Sequence, residues 1–387
     1  IAQCLVGSEM CIRDRYETPC YIIKKDKFTQ NCDEIEKNFR FHYGENIAIG
    51  YSVKTNNCNE ILQLVKERNW YAEVVSCEEY NFAKRMGFED KKIICNGPVK
   101  GRILESIISQ RDAIVNLDNM QEIYKVCKLA RGQRNFGIRV NFDFERECPG
   151  QKEISNREFS RFGFNYENGE VGQAIEVLQS NGIDVEGLHM HTSTKTRSLQ
   201  VFETLAHKAI EIIEKYHLKL KYIDIGGGFF GGQVVSGKPR MSQYAETITR
   251  ELRKGIDLKE TMLILEPGAS VVATAVEYLT TVDNVRNILN KRIVTVDGTL
   301  LHINPFMVDR ESIMEVYGSG EKKVEQQIIC GATCMEKDIF GRIDGKEELK
   351  PGDKILFKNA GAYTTSFNSN FILKKPEIYV EGEKDIV

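Results

Sequence analysis

The sequence contains no Cys-x-x-Cys pair, and its 11 cysteines are odd in number and irregularly spaced. That pattern excludes a disulfide framework and the usual structural zinc site. It points instead to reduced thiols in the cytoplasm. No apolar run approaches the roughly 18–20 residues of a membrane span. Blocks of like charge are missing too, and the net charge of −3 gives no support for nucleic-acid binding. The first residues lack an initiating Met, and Glu9 and Asp14 interrupt their short apolar stretch, so they do not read as a signal peptide. Residues 1–15 resemble translated adapter sequence at the ends of metagenomic gene models. We read them as non-native and leave them out of the fold.

What remains is a chain of ordinary globular composition, long enough for one large domain and a smaller one. From Ile47 onward, short apolar runs alternate with amphipathic stretches. The candidate strands are 47–53, 71–75, 92–95, 113–116, 136–140, 184–190, 221–225 and 262–265. Between them lie helical patterns. One runs over 59–68 with Ile61, Leu62, Leu64 and Val65 on one stripe. Another spans 201–216, with Phe202, Leu205, Ala209, Ile212, Ile213 and Tyr216. Eight such units predict an α/β fold, a (β/α)8 TIM barrel; a doubly wound sheet is the second choice. The barrel is expected over 37–275. Beyond it, Val276–Val285, Arg292–Val296, Gln327–Cys330, Lys354–Phe357 and Phe371–Leu373 predict a C-terminal all-β domain over 276–387. Residues 16–36, with a strand near Tyr21, are expected to join that domain.

Barrel chemistry sits at the C-terminal ends of the strands. Here those ends carry Lys54, Glu73, Asn96, Arg139, His189, His191, Gly226-Gly227-Gly228 and Glu266. A lysine at a strand end is most often a solvated residue. The repeated placement of polar groups argues otherwise, and pyridoxal 5'-phosphate accounts for the set. Its aldehyde needs an amine, which Lys54 offers as a Schiff base. Its pyridine nitrogen needs a carboxylate, for which Glu73 and Glu266 are the candidates. Its phosphate needs backbone N–H groups free of side chains, which Asp224-Ile225-Gly226-Gly227-Gly228 supplies after a strand. No metal is expected.

The chain also resembles a known family. The motifs are Tyr51-Ser52-Val53-Lys54, Ala72-Glu73-Val74-Val75-Ser76, Ser160-Arg161-Phe162-Gly163, His189-Met190-His191, Asp224-Ile225-Gly226-Gly227-Gly228, Glu266-Pro267-Gly268, Gly331-Ala332-Thr333-Cys334 and Asn359-Ala360-Gly361-Ala362-Tyr363. In order and spacing they are similar to the alanine-racemase-fold (fold-type III) pyridoxal-phosphate decarboxylases. That group holds the diaminopimelate, ornithine and carboxynorspermidine decarboxylases. The resemblance implies a carboxy-lyase in which Lys54 carries the cofactor and Glu266 pairs with the pyridine nitrogen. It places Glu73 and Arg139 near the cofactor and His191 on the ring face. Thr194, Gly227, Gly228, Gly268 and Tyr363 fall around the phosphate. Cys334 matches the cysteine that a second subunit inserts to reprotonate Cα, which implies a homodimer with shared active sites and a small amino-acid substrate.

Three departures bear on the substrate. The family's Glu-Pro-Gly-Arg is Glu266-Pro267-Gly268-Ala269. The Arg-Pro-x-Leu-Tyr segment of the diaminopimelate enzymes falls at Leu300–Phe306, which reads Leu-Leu-His-Ile-Asn-Pro-Phe. The acidic residue after the cysteine is Met335, followed by Glu336. A distal carboxylate is usually gripped by a bidentate arginine, so ordinary meso-diaminopimelate is not the expected substrate. Met335, Glu336 and His302, with Asn304 and Arg310, are candidates for a different pocket. The alternatives are an amino-acid racemase, which needs a second base opposite the lysine, and a non-catalytic cofactor-binding protein.

Overall fold

The computed structural model describes residues 15–109, 112–130, 136–151, 160–309, 312–368 and 370–381. Residues 1–14, nearly all of the stretch read as non-native, and Arg310 lie outside the described residues. The chain divides into two compact units, Asn31–Ser270 and a second made of Ile1–Gln30 with Val271–Val387.

The first unit is a closed barrel. Its eight strands are Ile47–Ser52, Tyr71–Val74, Ile93–Cys95, Ile114–Leu117, Phe136–Asn141, Val185–His189, Tyr222–Asp224 and Met262–Leu265. All eight pair in parallel, and Met262–Leu265 closes the ring on Ile47–Ser52. Closure settles the choice between barrel and doubly wound sheet. Parallel strands buried on both faces need near-continuous apolar sequence, and Ala48, Ile94, Tyr222 and Ile264 pack together at their centre. The helices bury the stripes read from their periodicity. In Asn59–Glu67 these are Ile61, Leu62, Leu64 and Val65, each contributing roughly 1.5–3 kcal/mol by leaving water. In Leu199–Tyr216 the buried stripe is Val201, Phe202, Leu205, Ala209, Ile212 and Ile213, while Tyr216 stays half-buried.

The second unit is mostly sheet. Cys20–Ile23 pairs antiparallel with Val276–Ile288 and parallel with Glu377–Val380, which brings both ends of the chain into one sheet. Tyr16, Cys20, Ile22, Leu279 and Leu356 form part of its core. Three details differ from the sequence reading. Residues 25–36 open the helix Lys25–Tyr43, and the division between units falls inside it, at 30/31 rather than 36/37. The other division, at 270/271, lies five residues before the expected one. Phe371–Leu373 is no strand: Ile372 has φ +65°, and Phe371 and Ile372 are exposed. The strands Met314–Tyr317 and Ile339–Asp344 take part instead. Both present few buried side chains and so carried little periodic signal.

Candidate active site

Parallel register places the polar residues of the barrel. Arg139, His189 and Asp224 are neighbours across three adjacent strands, and Ser52 lies beside Glu73 on two others. Lys54 follows directly after the first barrel strand and is half-buried. Its Nζ lies 2.7 Å from Glu73 Oε2, which also accepts the Ser52 hydroxyl at 2.6 Å. Glu73 is almost wholly buried, so this charge is held by the lysine and by hydrogen bonds rather than by water.

A second carboxylate, Glu266, accepts Asn96 Nδ2 at 2.5 Å and lies 3.4 Å from His189 Nε2. Asn96 Nδ2 also reaches Glu73 Oε1 at 3.1 Å. Burial works against the charge on Glu266, but His189, a hydrogen bond from Asp224 and Lys54 together hold its carboxyl well below the usual range. Asp224 goes the other way: burial and the Glu266 charge push it well up. The pair therefore holds one proton on Asp224 and leaves Glu266 an anion. His189, Asp224 and Glu266 place ligand-type atoms within 4.8 Å of one another. Asp224 Oδ1 also accepts the Gly226 N–H at 2.9 Å.

His191 Nδ1 accepts the Gly227 N–H at 3.2 Å, which fixes this imidazole against the glycine loop. Burial, then Arg139 and His189, pull its pKa well down, so the ring is neutral. Arg139 is half-buried and stays cationic although desolvation lowers its pKa. Its Nη1 lies 3.8 Å from Asp118 Oδ1, and its guanidinium stands 4.7 Å from the Phe162 ring centroid. A Cβ on Gly163 would fall 2.8 Å from the Arg139 carbonyl oxygen. The Ser160–Gly163 motif thus serves to pack under Arg139. Thr194 is buried, and its Oγ1 accepts the Arg197 N–H at 3.1 Å.

The glycine loop leaves open space at Gly228, while at Gly227 and Gly268 other protein atoms already stand where a Cβ would go. A Cβ on Gly227 would lie 2.1 Å from the Glu266 carbonyl oxygen, and Gly228, at φ +90°, faces open space. A Cβ on Gly268 would meet Thr55 Oγ1 at 2.1 Å. Arg139 Nε and His189 Nδ1 are buried without a hydrogen-bond partner. A lysine amine, a buried carboxylate held ionised, unsatisfied buried donors and an open glycine turn suit an anionic aromatic aldehyde. The model of the pyridoxal-dependent decarboxylase pyridoxal-binding domain matches residues 25–273. The chain belongs to the pyridoxal-dependent decarboxylases. It is 27% identical over 380 residues to a diaminopimelate decarboxylase of Archaeoglobus fulgidus, covering 95% of this chain and 88% of the relative. Its fold matches the diaminopimelate decarboxylase of Methanocaldococcus jannaschii with a TM-score of 0.84 at 22% identity, over 96% of this chain and 88% of the other. It matches the arginine decarboxylase of Paramecium bursaria Chlorella virus almost as well, with a TM-score of 0.80 at 18% identity over 97% and 99%. Decarboxylases named for different amino acids thus share the scaffold, so the substrate is decided by side chains.

The remaining site candidates belong to the second unit. Cys334 is exposed on the loop Gly331–Asp338. Asp338, buried, holds that loop: Oδ1 accepts the Leu300 N–H at 2.7 Å, and Oδ2 accepts the Thr333 N–H at 3.1 Å and hydroxyl at 2.5 Å. Met335 is half-buried and Glu336 exposed. Tyr363 sits exposed on a turn at φ +57°. His302 does not line an open pocket. It is buried with Nδ1 2.7 Å from the Tyr278 hydroxyl, and burial pulls its pKa down to about 4. Asn304 is spent on its own turn, exchanging hydrogen bonds with the Val308 backbone at 2.7 and 3.1 Å. Ser52, Asn116 and Tyr222, all part of the barrel's polar network, were missed from sequence. A polar residue inside the apolar run Ile114-Val115-Asn116-Leu117 was the one available signal. No helix among the described residues is long and apolar enough to cross a membrane.

Proposed function

We propose that this pyridoxal-dependent decarboxylase acts on an amino acid other than ordinary meso-diaminopimelate, as a homodimer with shared active sites. One observation carries the substrate reading. Where a second carboxylate would be gripped, the chain has Ala269, and its segment Leu300–Phe306 contains neither arginine nor lysine. Two of that segment's polar side chains, His302 and Asn304, are bonded within their own unit. Losing two charged hydrogen bonds would cost about 1.5–3 kcal/mol each. A polyamine precursor or a specialised biosynthetic amino acid without a distal carboxylate suits such a site better.

Pyridoxal phosphate, when bound, supplies an electron sink for the pair released as the Cα–carboxylate bond breaks. We assign Lys54 to its aldehyde. Glu73 keeps the Lys54 amine in place between turnovers. Glu266, held ionised, keeps a proton on the ring nitrogen. Neutral His191 is assigned to the ring face, where it adds no positive charge of its own. The N–H groups of Gly227 and Gly228, with Thr194, Gly268 and Tyr363, are assigned to the phosphate, and Arg139 supplies positive charge nearby. Cys334 holds the proton returned to Cα, and its exposure suits delivery into a partner's barrel.

Purified protein should carry a visible absorbance band that borohydride bleaches irreversibly. Lys54→Ala is expected to abolish the band and the activity; a variant that kept the band would remove Lys54 as the anchor. A panel of amino acids assayed for CO2 and for optical rotation tests the reaction and substrate together. Efficient CO2 release from meso-diaminopimelate would refute the substrate reading, and racemisation without CO2 would refute the lyase reading.

A further inference from the structure

Inside the barrel, a chain of polar side chains interrupts the apolar packing and ends on both site carboxylates. The Tyr222 hydroxyl donates to Asn116 Oδ1 at 2.8 Å, and Asn116 Nδ2 donates to Asn96 Oδ1 at 2.9 Å. Asn96 Nδ2 then donates to Glu266 Oε1 at 2.5 Å and to Glu73 Oε1 at 3.1 Å. Tyr222, Asn116 and Asn96 are all buried. A buried polar chain is destabilising unless each member is satisfied, and here the backbone is shaped to admit it. A Cβ on Gly137 would lie 2.2 Å from both Asn116 Oδ1 and the Tyr222 hydroxyl, and one on Gly187 would lie 2.1 Å from the Tyr222 ring. Two neighbouring strands give up a side chain so that Tyr222 can reach inward.

The direction of donation is fixed chemically. Carboxylate oxygens face one end of the Asn96 amide, so that end must be the NH2 group. Its oxygen is left to accept from Asn116, whose own oxygen is left for Tyr222. The shorter contacts therefore run toward Glu73 and Glu266, and Asn116 Nδ2 also donates to Asp224 Oδ2 at 3.4 Å.

We propose that Asn96 is a positioning residue: its single amide nitrogen holds Glu73 and Glu266 as a fixed pair of acceptors, and Asn116 and Tyr222 lock its orientation from inside the barrel. It acts on the reaction through those carboxylates, one paired with Lys54 and the other assigned to the ring nitrogen, and so rests on the reading of the site given above. The other charged and titratable groups around the pair are Lys54, Arg139, His189, His191, Asp224 and Glu79.

Asn96→Leu keeps the shape and removes the donor. Without it Glu266 loses a hydrogen bond to its ionised form and binds a proton more readily. In the loaded enzyme the acid limb of kcat is expected to move up by about one pH unit, with kcat at neutral pH falling about tenfold and KM little changed. The visible band should titrate in the same direction. Tyr222→Phe removes one oxygen at the far end, and both readouts should move the same way by less. It also decides the matter if Asn96→Leu does not fold. An acid limb and band titration that stay in place in the folded variant would overturn the proposal. Carboxyl 13C titration of the apoprotein, with Glu73 and Glu266 assigned through their Gln variants, separates the two readings. If wild-type protein takes up no pyridoxal phosphate, the site reading fails, yet an unchanged Glu266 midpoint in Asn96→Leu still refutes the role of Asn96, and a raised one supports it.

Discussion

The barrel mouth and the Cys334 loop carry the two halves of the proposed chemistry, and they are built in opposite ways. At the mouth, Lys54, Glu73, Asn96, Asp224 and Glu266 lie buried or half-buried in one connected network, each charge set by its neighbours. The Cys334 loop stands exposed and is tied down by one buried carboxylate, Asp338. Holding charge in fixed positions demands exclusion of water and complete hydrogen bonding. Presenting a proton donor demands only a rigid loop with a free tip. The buried network should therefore fail steeply when one member changes, and the loop should tolerate change outside its tip.

The largest effect is expected at the mouth. Glu266→Gln removes the anion while keeping shape and acceptor, and kcat should fall roughly 1,000-fold, as for the loss of a fixed charge-stabilising group. Cofactor should still bind, with its visible band altered; steady-state kinetics and absorbance on one preparation check this. A loss below about 100-fold would make the mouth no more sensitive than the loop tip.

A smaller effect sharpens the comparison through stability. Each unit holds a neutral histidine, half-buried His191 in the barrel and buried His302 in the β unit, and desolvation lowers both pKa values. A lowered folded-state value means that the unfolded chain takes up the proton first. For His302 the contribution is intact above its ordinary value of 6.5 and is lost as pH falls toward about 4. Over that window it amounts to at most about 3 kcal/mol. His302→Gln should flatten the pH dependence of denaturant unfolding between those limits without moving the acid limb of kcat. An unchanged slope would show that His302 does not titrate on unfolding.

At the loop tip the effect on kcat is expected to be smaller than for Glu266→Gln. Cys334→Ser should lower kcat about 100-fold, a typical share for a general acid, and leave the visible band and its pH titration untouched. A changed band would mean that the thiol belongs to the cofactor's own surroundings.

The eight barrel strands were legible because parallel strands buried on both faces must be apolar almost throughout. Lys54, Glu73, His191 and Glu266 were legible because each interrupts or ends such a run. Phe371–Leu373 misled because three apolar residues look like a strand whether or not a partner lies beside them. His302 misled for a related reason: a histidine in a divergent segment reads as available until its burial against Tyr278 is seen.

The sequence by itself determined which residues are apolar, where each strand ends and which chemical groups stand there. From these follow the barrel, the cofactor and the lysine proposed to meet it. Tertiary structure alone decided which groups share a proton and which hydrogen bond reaches which carboxylate. Asn96, Asn116 and Tyr222 come from three strands separated by up to 126 positions (222 − 96), and only closure of the ring brings them into line. Hydrogen bonds act over about 3 Å, so nothing local in the chain can specify them. Register across the barrel does.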